Sequence, residues 1–254
     1  MNLPLSVAII TFNEERNLPR LLESLDFAAE IVILDSLSTD GTQQAVEDFQ
    51  KKSKQSIRFE KQPFLGFGLQ KQKATDLCTY PWVLNLDADE RISPELKKEL
   101  LDKFPSLDQS VSYSFPRKSF HLGRWILHGG WYPDRQVRLY HRDTVKWSTD
   151  NIHEKLNFQK VKTFQSPILH YVFRDLSHQV MTNDKYSTLQ AEKEMARGRS
   201  FVLLRLLVKP WVKFFECYVF KLGFLDGLPG FIIAVGAAHS VFLRWSKVWE
   251  KKNT

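Results

Sequence analysis

The apolar positions change rhythm several times along the chain. Leu5-Ser6-Val7-Ala8-Ile9-Ile10 and Ile31-Val32-Ile33-Leu34 are short, nearly continuous apolar runs, the pattern of strands buried on both faces. Between them Leu18, Leu21, Leu22 and Leu25 recur at helical spacing. A second helix is expected through Ala45, Val46 and Phe49, a weaker third strand over Ile57–Lys61, a third helix over Gly66–Cys78 and a fourth strand over Trp82–Asp87. Alternating strand and helix predict an α/β chain with a parallel, doubly wound sheet. Beyond Glu90, Ser93-Pro94-Glu95 reads as a helix start, with Ser93 capping and Pro94 in the first turn. Strands are expected over Val111–Pro116 and Gln136–His141, with an aromatic, poorly periodic loop at 117–135 between them. A polar helix over Leu176–Arg199 precedes two apolar helices, Phe201–Leu222 and Phe231–Lys251, separated by a break at Gly223–Gly230.

The chemistry gathers where the first strands end. Sheets of this kind bind ligands at the carboxyl ends of their strands. Three polar clusters fall there: Thr11-Phe12-Asn13-Glu14-Glu15, Asp35 with the turn Ser36–Thr42, and Asp87-Ala88-Asp89-Glu90. Asp87 and Asp89 stand two apart, so a turn at the strand end can bring both carboxylates to one cation. Hard oxygen ligands there suit Mg²⁺ or Mn²⁺ bridging phosphate oxygens; the plain alternative is a solvated turn. No Gly-x-Gly-x-x-Gly follows the first strand and no Gly-Lys-Ser/Thr loop occurs, which argues against a dinucleotide dehydrogenase and a P-loop NTPase.

The segments Ser6–Asn13, Asp35–Thr42 and Asp87-Ala88-Asp89 resemble the nucleotide-sugar domain of family 2 glycosyltransferases, which has the GT-A fold. Gly66–Lys71, Gly123-Arg124-Trp125, His128–Asp134, Arg138-Leu139-Tyr140 and His153-Glu154 are similar to the branch that includes bacterial lipopolysaccharide-core β-glucosyltransferases. The resemblance implies that Asn13, Glu15 and Asp35 hold the base and ribose, with Thr11 beside them at the nucleotide-sugar site, that Asp87 reaches the ribose or the metal, and that Asp89 ligates the metal. It also implies a third ligand in His170, which ends a short apolar run. Lys71 is either a diphosphate-holding cation or an exposed helix lysine. Transfer to a hydroxyl needs a base; Glu154 matches the family's catalytic acidic position, with Asp134 the alternative.

Composition narrows the setting. The 254 residues are 43% hydrophobic, enough for a sizeable core, and Cys78 and Cys217 are too few for a disulfide framework, which fits a reducing compartment. No signal-peptide pattern opens the chain. From Arg197 onward ten Lys/Arg face three acidic residues, so the whole net charge of +7 lies in the tail. Its aromatic and aliphatic content points to an anionic membrane surface rather than nucleic acid. Its apolar runs read as too short and interrupted to span a bilayer.

The expected organisation is a GT-A catalytic domain over 1–199, donor half about 1–110 and acceptor half about 111–199, followed by an amphipathic helical hairpin over 200–254. The expected activity is metal-dependent, inverting transfer of a hexose, glucose first, from a UDP-sugar to a lipid-linked saccharide such as lipopolysaccharide core, at the cytoplasmic face of the membrane, with an oligomer possible. A polyprenyl-phosphate glycosyltransferase is the nearest alternative; a nucleotidyltransferase or a non-catalytic sugar-binding protein stands further off.

Overall fold

The structure, a computed structural model, describes residues 2–53, 55–147, 156–198 and 201–253. The elements follow in chain order: β1 (Leu3–Thr11), α1 (Leu18–Glu23), β2 (Ala28–Asp35), α2 (Thr42–Lys52), β3 (Ser56–Lys61), α3 (Phe67–Asp76), β4 (Trp82–Asp87), β5 (Glu90–Ile92) and α4 (Pro94–Lys103). Then come β6 (Ser112–His121), β7 (Arg124–Ile126), β8 (Asp134–His141), β9 (Lys146–Trp147), β10 (Leu156–Asn157), β11 (Val161–Thr163) and β12 (Ile168–His170), and finally α5 (Leu176–Ala196), α6 (Val202–Phe215) and α7 (Gly227–Asn253). A π-helical turn, Glu216–Phe220, and a 3₁₀ turn, Gly223–Asp226, link the last two helices.

The chain divides into two compact units. One holds residues 1–117 and 135–170; the other holds 118–134 and 171–254. In the first, β3-β2-β1-β4 run parallel, β8 joins β4 antiparallel, and the order continues through β6 and β12 to β5. The central strands are buried on both faces, which is why their sequences are continuous apolar runs rather than alternating ones. On one face Leu5, Val7, Ile9, Leu84 and Leu86 pack against Leu18, Leu21 and Leu22 of α1 and Leu96 and Leu100 of α4. On the other, Ala8, Val32 and Val83 pack against Ala74 of α3 and Tyr140 and Trp147. Each buried leucine contributes about 1.5–3 kcal/mol. The expected α4 cap is present: Ser93 Oγ accepts from Leu96 N at 3.1 Å.

In the second unit the end of β6 forms a hairpin with β7, turning at Leu122-Gly123, both at positive φ. The segment 117–135 is therefore a hairpin over 117–126 followed by a loop over 127–133, rather than one long aromatic loop. Its period is hidden because both strands carry cross-strand aromatic pairs: Phe120 stands opposite Trp125 with ring centroids 5.2 Å apart. Helices α5 and α7 share an apolar cluster of Ala191, Val241, Trp245 and Val248, against which Val202 and Leu206 of α6 pack. α5 thus falls in the same compact unit as α6 and α7, with its Ala191 buried among Val241, Trp245 and Val248 of α7. The break expected at 223–230 is also narrower: α7 begins at Gly227 and continues for 27 residues. Contrary to the reading of short interrupted runs, Gly223–Asn253 is long and apolar enough to cross a membrane by length and composition. It is the one such stretch among the described residues.

Candidate active site

Strand register assembles the site. Thr11 stands beside Asp35 on β2, and Ile10 stands beside Asp87 on β4, so the carboxylates of two parallel strands emerge at one edge. The loop after β2 is fixed from within. Asp35 is fully buried, and its carboxylate accepts from Ser38 N at 2.8 Å and Ser38 Oγ at 2.5 Å. Asn13, at φ 56°, accepts from Thr39 N at 2.9 Å through Oδ1, and its own N donates to Ser38 Oγ at 2.8 Å. Glu15 Oε2 accepts from Gly41 N at 2.9 Å, so close that a Cβ on Gly41 would meet that oxygen at 2.8 Å. Asn13, Glu15 and Asp35 are therefore brought together, with these side chains turned onto the 36–42 turn they shape. Thr11 Oγ1 is buried without a hydrogen-bond partner among the described residues.

Asp87 lies in a cluster of charges that the sequence pattern did not reveal. Its carboxylate is 3.2 Å from Lys71 Nζ on α3 and accepts from Arg138 Nη2 on β8. The same Arg138 nitrogen donates to Glu90 Oε1 at 2.6 Å, and Arg117 approaches Glu90 at 3.4 Å. Glu90 Oε2 accepts from the backbone N of Asp87 at 3.0 Å, closing the turn 87–90 on itself. Glu90 and Arg138 are almost wholly buried, and so is Lys71, which excludes the exposed-lysine alternative. Burial opposes a charge on Asp87, but the Arg138 guanidinium and the Lys71 ammonium outweigh it and hold its carboxyl well below the usual carboxylate range. For Arg138 burial again opposes the charge, and Asp87 and Glu90 overcome it. Buried ion clusters are poor stabilisers, since apolar residues of similar size do as well. Their concentration at a strand-end edge makes this edge the candidate functional site. The hint in the sequence was Arg138 itself, a charge set between the apolar residues Val137 and Leu139-Tyr140, which requires a partner where it is buried.

Lys71 is held by its helix. Thr75 Oγ1, one turn on, shares a 2.8 Å hydrogen bond with Tyr140 Oη, which also accepts from Trp147 Nε1 at 2.8 Å. The Lys71 ammonium stands 5.1 Å from the Trp147 ring centroid.

Asp89 points elsewhere. β12 pairs with β5, setting His170 opposite Glu90, and His170 Nε2 comes to 3.3 Å from Asp89 Oδ2. Two ligands of one octahedral Mg²⁺ or Mn²⁺, each at about 2.1 Å, sit about 3 Å apart, so this pair fits an ion that takes its remaining ligands from water and phosphate oxygens. Asp87 is not part of the pair, being held by Lys71 and Arg138. Among the described residues no group of three or more His, Cys, Asp or Glu side chains forms a metal cluster. Asp134 opens β8 in the second unit and is half-buried. Glu154 lies outside the described residues.

The model of the family "Glycosyl transferase family 2" matches residues 6–170. The lipopolysaccharide core biosynthesis glycosyltransferase LpsC of Rhizobium meliloti is 32% identical over 254 residues, covering 98% of this chain and 93% of that protein. An uncharacterized glycosyltransferase of Rickettsia conorii is 28% identical, covering 97% of this chain and 90% of its own length. Among solved structures, the mannosyltransferase PcManGT of Pyrobaculum calidifontis in complex with GDP-Man and Mn²⁺ superposes with a TM-score of 0.59 at 13% identity, covering 99% of this chain and 88% of that one. S. aureus TarS 1-349 in complex with UDP superposes with a TM-score of 0.51 at 16% identity, covering 100% and 92%. At these identities the likeness to the two structures concerns the fold, which is GT-A.

Proposed function

The chain belongs to glycosyl transferase family 2, and from that membership we propose that it moves a hexose, glucose in the first instance, from a UDP-sugar to a lipid-linked saccharide of the lipopolysaccharide-core type, inverting the anomeric centre. One observation carries this reading: the buried charge cluster of Lys71, Asp87, Glu90 and Arg138 lies beside the Asp89–His170 pair at the edge where the parallel strands end. The kinship with LpsC supports the acceptor class. The UDP of TarS and the GDP-Man and Mn²⁺ of PcManGT support a nucleotide-sugar donor and a divalent ion.

In this reading the 36–42 turn, shaped by Asn13, Glu15 and Asp35 and flanked by Thr11, frames the nucleotide. Lys71 and Arg138 keep Asp87 ionised and fixed in direction, ready to accept hydrogen bonds from the ribose. Asp89 and His170 would hold a Mg²⁺ or Mn²⁺ ion, which when bound would supply positive charge to stabilise the diphosphate leaving group. Glu154 takes the proton of the acceptor hydroxyl as its oxygen bonds to the anomeric carbon and the bond to the diphosphate breaks on the opposite face. The protein works at the cytoplasmic face of the membrane, held there by its C-terminal helices.

The test is nucleotide release by purified full-length protein supplied with lipopolysaccharide-core acceptor, Mn²⁺ and, in separate arms, UDP-glucose, other UDP-hexoses and GDP-mannose. UDP release that requires acceptor and stops on chelation is the expected result. Release from GDP-mannose alone would overturn the donor, full activity in chelator the metal, and no acceptor-dependent release from any donor the reaction.

A further inference from the structure

The helical unit carries a second polar site, unrelated to the strand ends. α6, α5 and α7 enclose an open groove of about 320 Å³. Arg205, Lys209, Lys213 and Arg244 line it with Glu194 and Glu216, four cations against two carboxylates, so the groove is net positive. Trp245 and Val241 form its floor, and the Arg205 guanidinium lies 5.2 Å from the Trp245 ring centroid. Lys213 is 3.1 Å from Glu216, whose other oxygen faces Lys221 at 2.5 Å, so Glu216 is already neutralised. Arg244 Nε is buried without a hydrogen-bond partner among the described residues.

A second groove of about 430 Å³ adjoins the first. It is lined by Leu207, Val208, Trp211, Phe215 and Phe220, and Val212 lines both. The spacing explains the partition: Arg205, Lys209 and Lys213 recur every four residues on one stripe of α6, while Leu207, Trp211 and Phe215 recur on the next. α6 has no buried residue at all; its Leu207 and Trp211 are 61% and 68% exposed, and Phe220 of the π-helical turn is 79% exposed. An exposed apolar groove continuous with a cationic one matches a ligand with an anionic head and an acyl chain. Arginine forks suit phosphate oxygens.

We propose that this pair of grooves binds one membrane phospholipid, its phosphate held by Lys209, Lys213, Arg205 and Arg244 and an acyl chain laid across Val212 onto Leu207, Trp211 and Phe215. The site rests on reading α6 as a membrane-facing helix, and it can be tested without a bilayer. Full-length protein is titrated calorimetrically with dihexanoyl phosphatidate and dihexanoyl phosphatidylcholine, both below their micelle concentrations, and with inorganic phosphate. Saturable one-to-one binding of the phosphatidate is expected, at least roughly tenfold tighter than either other probe. Lys209→Gln combined with Arg244→Gln should weaken it by a further roughly tenfold, while Lys185→Gln combined with Lys251→Gln, the same charge removed elsewhere on the unit, leaves it unchanged. Lys209→Gln alone, at an exposed position, covers the case in which the Arg244 substitution unfolds the unit. Equal weakening in the two double variants, phosphatidylcholine binding as tightly as phosphatidate, or no saturable binding would each overturn the headgroup site. Inorganic phosphate binding as tightly as phosphatidate would overturn the acyl groove. Binding of protein to anionic vesicles with none of these saturable signals leaves membrane attachment standing and removes the discrete site.

Discussion

Arg138 bridges Asp87 and Glu90 from a strand 51 residues further along the chain. That explains why Asp87 and Asp89 stood out in the sequence and Arg138's role did not. Carboxylates two apart at a strand end are a local pattern, whereas the pairing of β4 with β8 is a long-range one that periodicity does not report. The charge is held by geometry, so Arg138→Met and Arg138→Lys should separate. The Met variant leaves Asp87 and Glu90 short of a buried partner and should lose about 3–5 kcal/mol in denaturant unfolding. Adding Glu90→Gln should recover part of that loss, since the two positions share one network. Arg138→Lys keeps the charge but not the planar guanidinium, one nitrogen of which serves both carboxylates, so it should fold while raising the KM for donor; wild-type stability and KM in that variant would show the guanidinium to be dispensable. Glu154, placed by family resemblance, is tested directly. Glu154→Gln should bind donor and lose roughly 10²–10⁴-fold in kcat. If Asp134→Asn is the inactive variant while Glu154→Gln turns over normally, the base is Asp134.

Among elements, the long periodic ones were legible and the short ones were not. β1, β2, β4 and α1 declare themselves by four or more apolar positions in phase. β5, β7 and β12 have three residues each, too few to show a period, and they exist because neighbours offer them a ladder. The Gly223–Gly230 stretch is the instructive case. Its glycines and proline looked like a loop, yet Pro229 sits in the first turn of α7, where no intrahelical N–H bond is lost. Gly230 is there for close approach: a Cβ would stand 1.9 Å from the carbonyl oxygen of Gly223. Gly236, further along the same helix, has nothing nearer than Gln179 Nε2 at 3.4 Å, the end of a side chain. Gly230→Ala should therefore force the backbone apart and destabilise the helical unit by about 1–3 kcal/mol. Gly236→Ala should be neutral or stabilising by up to about 1 kcal/mol, the ordinary helix-propensity gain. Urea unfolding followed by circular dichroism distinguishes them, and equal effects would mean that the turn before α7 yields.

For the molecule as a whole, the separation of charge along the sequence has a structural counterpart. Residues 1–196 are balanced in charge, and the net +7 belongs to the C-terminal stretch, where α6 leaves its apolar side chains in solvent. Monomeric proteins rarely leave so continuous an apolar surface uncovered. α7 is long enough to span a bilayer, but it is engaged sideways. Val241, Trp245 and Val248 share a cluster with Ala191 of α5, and Lys247 Nζ is held by Asp184, Ser187 and Thr188, with the hydroxyls at 2.8 and 2.7 Å. A helix tied along its length to a polar neighbour is better suited to lie at the interface than to cross it. Each cation near an anionic leaflet adds about 1 kcal/mol, and buried Trp and Phe side chains add apolar area. Full-length protein should accordingly co-sediment with vesicles of phosphatidylcholine and phosphatidylglycerol in equal parts at low salt, less with phosphatidylcholine alone, and less as salt rises. Trp211→Asp combined with Phe220→Asp, at two exposed positions, should abolish co-sedimentation and leave the melting temperature unchanged. Protein that stays in the supernatant and elutes as a detergent-free oligomer, with the double variant eluting as a monomer, would identify the apolar face of α6 as a contact between copies of this chain.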